Sequence, residues 1–239
     1  SPMSRGLGDV YKRQVPVHTA SAFDSPYLIE VPSEDGSARI FKDDVFFCEV
    51  HFPQKAKFTD LSTADGVPYG HIAQLHSKDV LATTVMQNCI RYQSKKNTCK
   101  FCAIGQSLAA GRTIARKSPQ QLAEVARAAY LLDGVKHMVM TTGTPSSEDR
   151  GARILSNCAQ SIRAAVDLPL QAQCEPPSDD LWHVRMKESG IDSLGMHLEV
   201  VNPILRKEIM PGKSEVSLDR YFESFSVAVE VFGLSLIHI

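Results

Sequence analysis

A chain of 239 residues with 43% hydrophobic content can bury the core of one or two domains, and its net charge of −1 offers no attraction to nucleic acid or an acidic membrane surface. No apolar run approaches the roughly 18 residues that span a bilayer, neither end has the apolar core and cleavage site of a secretory signal, and six cysteines in a chain this long do not make a secreted disulfide scaffold. These features predict a soluble, cytoplasmic protein with no nucleic-acid or membrane partner.

Residues 1–14 and 234–239 resemble translated sequencing-adapter read-through and are set aside from fold reasoning. Residues 15–79 read as a β-rich N-terminal extension. Tyr27 to Val31 and Ala38 to Lys42 are strand-like runs around the turn residues Pro32 to Gly36, Phe46 to Phe52 is a third strand, and His71 to Leu75 a short fourth. Cys48 fits its strand as a small buried hydrophobe.

From residue 80 to 233 strands alternate with helices. Val80 to Met86 is β-branched and apolar and runs directly into Cys89. Ser118, Pro119 and Gln121 supply an N-cap, a first-turn proline and a capping-box partner for a helix reaching Leu132, with Leu122, Val125, Ala126 and Ala129 at helical spacing and Gly134 as its stop. Strands follow over Val135 to Thr141, Leu168 to Cys174 and Ile191 to Val200. Between and after them, helices are expected over Ser147 to Val166, Asp179 to Ser189, Ile204 to Glu208 and Ser217 to Phe232. Such alternation predicts βαβ units and a parallel sheet. Along the fourth strand Leu194, Met196, Leu198 and Val200 suit the helix side, turning Gly195, His197 and Glu199 inward; along the third, Gln171, Gln173 and Glu175 face inward, with Cys174 on the packing side. A polar interior suits a cavity for a polar cofactor, since buried polar groups need partners.

The chemistry concentrates in Cys89-Ile-Arg-Tyr-Gln-Ser-Lys-Lys-Asn-Thr-Cys99-Lys-Phe-Cys102, three thiols spaced C-x9-C-x2-C. Structural zinc takes four closed ligands and ordinary iron–sulfur clusters take four cysteines, so three soft ligands describe a site with one position open. Cys99-Lys100-Phe101-Cys102 resembles the end of the C-x3-C-x-aromatic-C motif of the radical S-adenosylmethionine (SAM) superfamily, with a first gap of nine residues in place of three. The resemblance covers roughly Val80 to Gly233. Thr141-Thr142-Gly143-Thr144-Pro145 resembles the family's Gly-Gly-Glu-Pro segment, with Thr144 where the family has Glu. Glu199 to Pro203 and Met210 to Lys213 are similar to the lipoyl-synthase and biotin-synthase side of the superfamily. More narrowly, the chain is similar to a radical SAM subfamily encoded beside nitrilases in bacterial gene clusters.

The resemblance implies a partial parallel (β/α) barrel that ends after about four βα units, short of a fifth strand, and a polypeptide that would continue past Gly233 and be a poor enzyme as it stands. It implies a [4Fe–4S] cluster on Cys89, Cys99 and Cys102, with Cys48, Cys158 and Cys174 dispensable. SAM would lie against Phe101, Thr142, Gly143, Thr144, Glu175, His197 and Glu199. An external one-electron reductant of the flavodoxin or ferredoxin type would serve an unidentified small-molecule substrate. Glu199 has an alternative reading, pairing with Lys213 or Arg206 at the barrel rim, and His197 as a satisfied core histidine. For the thiols the alternatives are a zinc-binding interaction module with a distant fourth ligand, purely structural cysteines, and a thioredoxin-like Cys99–Cys102 pair. The pair is disfavoured by the lack of an apolar strand directly before it and a clear helix directly after it.

Overall fold

The structure is a computed structural model and describes residues 24–30, 33–52, 55–76, 78–233 and the backbone of 236–238. The adapter-like residues 1–14 and part of the first expected hairpin, residues 31–32, lie outside the described residues. The chain divides into two compact units, Ser1–Lys55 and Ala56–Ile239. The short elements of residues 57–76 therefore belong to the second unit, although the sequence reading grouped them with the extension.

The described residues of the first unit form an antiparallel three-stranded sheet in the order β1 (Tyr27–Ile29), β2 (Ser37–Lys42), β3 (Val45–His51). The tight turn between β2 and β3 is made by Asp43 and Asp44 at φ 49° and 64°. Two successive positive φ values match the right-handed twist of a two-residue hairpin, and aspartate tolerates that region better than most residues. Gly36 enters β2 at φ +83°, where a Cβ would sit 2.7 Å from the carbonyl oxygen of Phe52.

The second unit is built on a sheet ordered β4 (Gln74–His76), β5 (Val80–Thr84), β6 (His137–Thr141), β7 (Leu170–Gln173), β8 (Ser193–His197), β9 (Leu236–His238). β4 runs antiparallel to β5, and every later pairing is parallel. Among the described residues six α-helices accompany it: α1 (Ile104–Ala109), α2 (Pro119–Asp133), α3 (Ala152–Ala165), α4 (Leu181–Glu188), α5 (Pro203–Ile209) and α6 (Leu218–Phe232). The strand expected at His71 to Leu75 is shifted, with a 3-10 turn over Tyr69–His71 and β4 after it. Four βα units are present as expected, and β9, which lies within the residues 234–239 that the sequence reading set aside, pairs in parallel beside β8 as a fifth strand.

The start of α2 is the one its sequence encodes. The Ser118 hydroxyl accepts from the Gln121 N–H (3.1 Å), the Gln121 side chain accepts from the Ser118 N–H (2.9 Å), and Gly134 ends the helix at φ +66°. α3 begins five residues later than expected, because the Asp149 carboxylate takes the N–H groups of Gly151 (3.2 Å) and Arg153 (3.1 Å) and Gly151 adopts φ +99°. α1 was not expected at all; it is short, and its N-cap, Ala103, makes no side-chain bond.

Alternation along the parallel strands sorts the two faces. Leu81, Met138, Met140, Leu170, Ala172, Leu194 and Met196 are buried against the helices. Thr84, Thr141, Gln173 and Gly195 lie side by side in register on the opposite face. Burying the apolar face supplies the drive for folding at roughly 25 cal/mol per Å² of apolar area. The other face carries hydroxyls and amides, with the Thr84 and Thr141 hydroxyls 2.9 Å apart.

β8 ends sooner than its apolar pattern suggests. Past His197 the chain turns: Glu199 has φ 65°, and the Val200 N–H donates to the Leu198 carbonyl (2.8 Å). The guanidinium of Arg206, 3% exposed, donates to the carbonyls of Leu198 (2.9 Å) and Val200 (3.1 Å). Those carbonyls are thereby removed from any further ladder, and Glu199 belongs to a turn, not to the strand.

Candidate functional site

Parallel strands deliver their loops to one rim, and the rim after β5, β6, β7 and β8 gathers the charged and thiol groups. Cys89 is the N-cap of a 3-10 turn, Ile90–Tyr92. The segment leading to it runs against the end of β6: the Gly143 N–H donates to the Met86 carbonyl (2.9 Å), and the Ile90 N–H donates to the Thr144 carbonyl (2.8 Å). At Gly143 a Cβ would overlap the carbonyl oxygen of Asn88 and touch Ile104. Only glycine permits this approach, which joins the first thiol's backbone to the Thr142–Thr144 segment.

Cys99 and Cys102 share one turn, the Cys102 N–H donating to the Cys99 carbonyl (3.0 Å). The turn is tied to the far side of the rim by the Lys100 N–H, which donates to the Ile209 carbonyl (2.8 Å), and by the Gly212 N–H, which donates to the Asn97 carbonyl (3.1 Å). Burial pushes the Cys99 thiol up to about 11; Lys213 opposes this, while Glu199, Cys102 and Cys89 add to it. Burial also raises the Cys102 thiol, opposed by a hydrogen bond from the Ile104 N–H and reinforced by Cys89. The two thiol-bearing segments meet at Gly212, whose N–H donates to the Asn97 carbonyl (3.1 Å) and where a Cβ would lie 3.0 Å from Arg91 Cδ.

All three are half-buried, whereas Cys158 and Cys174 are buried in the body of the unit. Among the described residues no group of three His, Cys, Asp or Glu side chains is placed to share a single metal ion. This is compatible with a cubane, in which each thiolate binds a different iron and the sulfurs stand apart. A short helix, α1, does follow Cys102, contrary to expectation, yet β5 ends well before Cys99 and both thiols of the pair are raised, the reverse of a reactive redox cysteine.

The remaining expected residues reach the rim in different ways. Glu175 is buried, its side chain 6% exposed; one carboxylate oxygen accepts from the Thr144 hydroxyl (2.8 Å) and the other from Arg91 (3.2 Å). Thr142 spends its hydroxyl on the Gly143 carbonyl (2.9 Å). Glu199 lies 3.2 Å from the ammonium of Lys213, an ion pair at the rim as its alternative reading anticipates. His197 is half-buried on the inner face of β8, and Phe101 is 54% exposed. Arg91 was missed by the sequence reading, and Arg206, expected as a possible partner of Glu199, bonds the carbonyls of Leu198 and Val200. A lone arginine in a lysine-rich loop carries no signal of burial, and its partners are far along the chain.

The residues present fit a cluster with a polar cofactor beside it. Three soft donors stand at one rim of the sheet, and the buried amide nitrogen of Gln171 finds no acceptor among the described residues. The chain belongs to the radical SAM superfamily, whose model matches residues 95–233. That match takes in Cys99 and Cys102 and begins after Cys89. Among solved structures the chain is similar to methylornithine synthase (PylB), with 16% sequence identity and a TM-score of 0.49 over 65% of this chain and 42% of that one. No curated protein matches it.

Proposed function

We propose that this chain is a radical SAM enzyme in which Cys89, Cys99 and Cys102 hold a [4Fe–4S] cluster and the Thr142–Thr144 segment, Phe101, Glu175, His197 and Glu199 surround SAM. The observation that carries this reading is the placement of three half-buried thiols on one rim of the parallel sheet, where the Cys89 segment and the Cys99 turn meet at Gly212. With cluster and SAM bound, the site would supply one-electron reductive cleavage of SAM and a 5′-deoxyadenosyl radical that takes hydrogen from a substrate.

The chain's own residues bind, orient and exclude water. Gly143 lets the Asn88 carbonyl, in the segment that carries Cys89, pack directly on the end of β6. Thr144 and Glu175 satisfy each other, so the carboxylate that position 144 lacks is supplied from the end of β7. Glu199 would accept hydrogen bonds from ribose hydroxyls or an ammonium, in competition with Lys213. Electrons would come from an external carrier of the flavodoxin or ferredoxin type. Among the described residues no helix is long and apolar enough to cross a membrane.

Anoxic reconstitution with iron and sulfide tests the reading. A brown protein with about four irons and four sulfides per chain, lost when any one of the three cysteines becomes alanine, is the expected result. Stoichiometric zinc without sulfide defeats it.

A further inference from the structure

The interval of nine residues leaves Cys89 outside the turn that fixes Cys99 and Cys102, so another element must hold it. We propose that Arg91 is the positioning residue for Cys89, locking the backbone that presents the first thiol independently of the loop that follows; this rests on the three-thiol reading above.

Arg91 stands two residues past Cys89 with its side chain 9% exposed. It donates to Glu175 (3.2 Å), whose other oxygen accepts from the Thr144 hydroxyl (2.8 Å), while the Thr144 carbonyl accepts from the Ile90 N–H (2.8 Å). These bonds close a ring through Ile90, Thr144, Glu175 and Arg91 on the dipeptide directly after Cys89. A second arm of the guanidinium reaches Glu215 on the far side of the rim. The stem is confined too: at Gly212 a Cβ would sit 3.0 Å from Arg91 Cδ.

A buried ion pair is a poor way to gain net stability, because desolvation offsets the attraction. It is a good way to fix direction, because a planar guanidinium bonds along set lines that an ammonium cannot reproduce. Cys99 and Cys102 have their own turn and their own ties to Ile209 and Gly212. Loss of Arg91 should therefore release one thiol of the three.

The test is cysteine-by-cysteine alkylation of the full metal-free chain by iodoacetamide, read by peptide mass spectrometry. With Arg91→Met, the Cys89 rate should rise roughly tenfold, the release expected on losing a charged hydrogen bond. The rates at Cys99 and Cys102 should stay within about twofold, and Cys158 and Cys174 should stay protected. Loss of a neighbouring cation by itself disfavours thiolates and slows alkylation, so acceleration reports release of the backbone. Arg91→Lys should not restore the slow rate. Glu175→Gln should give a smaller rise, and Glu215→Gln almost none, since Glu215 is 66% exposed.

An unchanged Cys89 rate in Arg91→Met overturns the proposal. So does a rise shared by Cys158 and Cys174, which would make Arg91 a support of the whole fold. Iron and sulfide uptake by the unsubstituted chain is measured in parallel, so a chain that takes up no cluster defeats the three-thiol reading separately from the alkylation result.

Discussion

The body of the second unit and its rim are made of different materials. On the helix-covered face of β5 to β8, Leu81, Met138, Met140, Leu170, Leu194 and Met196 are almost wholly inaccessible, packed against one another and against α2, α3 and α6. Just past the ends of the same strands stand Arg91 and Glu175, with Arg206 nearby, each less than 10% exposed and each held by named hydrogen bonds. The body is stabilised by area, which tolerates small rearrangements at a graded cost. The rim is stabilised by arrangement, in a low dielectric where a charge without its partner is expensive. Substitutions in the body should lower stability and leave binding alone, whereas those at the rim should act on binding.

The sharpest break between the two is expected among the cysteines. Alanine at Cys89, Cys99 or Cys102 should abolish iron and sulfide uptake while thermal melting of the metal-free chain changes little; alanine at Cys158 or Cys174 should keep uptake. Loss of uptake on replacing Cys158 would erase the distinction between body and rim. The next effect is in the body. Leu155, wholly buried in α3, should cost about 2–5 kcal/mol when cut to alanine, read from urea unfolding, with iron bound per folded chain unchanged.

Glu199→Gln sharpens the rim side. If Glu199 meets SAM, the cluster should survive and SAM binding should weaken by roughly ten- to a hundredfold, the worth of one charge-assisted hydrogen bond. If it serves only to pair with Lys213, the melting temperature should fall and titration with SAM should give the same affinity. Unchanged affinity in a cluster-loaded variant removes Glu199 from the site.

The smallest effect is a pH dependence of the body. Burial pushes the thiols of Cys158 and Cys174 up to about 12, from a reference of 9.0. Above about pH 9 the unfolded chain gives up these protons and the folded chain keeps them, so stability is lost as pH rises, by about 1.4 kcal/mol per thiol at pH 10. Lys117 acts with the opposite sign, since burial lowers its ammonium to about 8 and the unfolded chain holds that proton longer. Its bonds to the Thr84 carbonyl (2.6 Å) and the Thr113 hydroxyl (2.7 Å) favour the charged form and limit the effect. Comparing the pH slope of unfolding in Cys158→Ala with that of the unsubstituted chain cancels Lys117 and leaves the thiol. Equal slopes would show that Cys158 titrates alike in both states.

What was legible in the sequence was local. The capping box of Ser118 and Gln121, the stop at Gly134 and the alternation that buries Leu194 and Met196 are all set by neighbours within a few residues, and they stand where the pattern puts them. The end of β8 was misread for a non-local reason: the apolar alternation continues through Leu198, but Arg206 withdraws the carbonyls that would extend the strand. Arg91 was invisible because its partners are 84 and 124 residues away. The turn at Asp43 and Asp44 lacks the glycine that usually marks such a hairpin, and α1 has no side-chain cap to announce it.

The separate anchoring of Cys89 also bears on the length of the first thiol interval. Once Cys89 is fixed at the end of β5 and Cys99 at its own turn, the chain between them is a polymer loop with two pinned ends, and the entropy of closing such a loop grows only with the logarithm of its length. Nine residues in place of three raise that cost by (3/2)RT ln 3, about 1 kcal/mol. The second interval has no such latitude, because Cys99 and Cys102 are bonded across a single turn. A first spacing that drifts and a second that stays at two residues is the pattern this geometry favours.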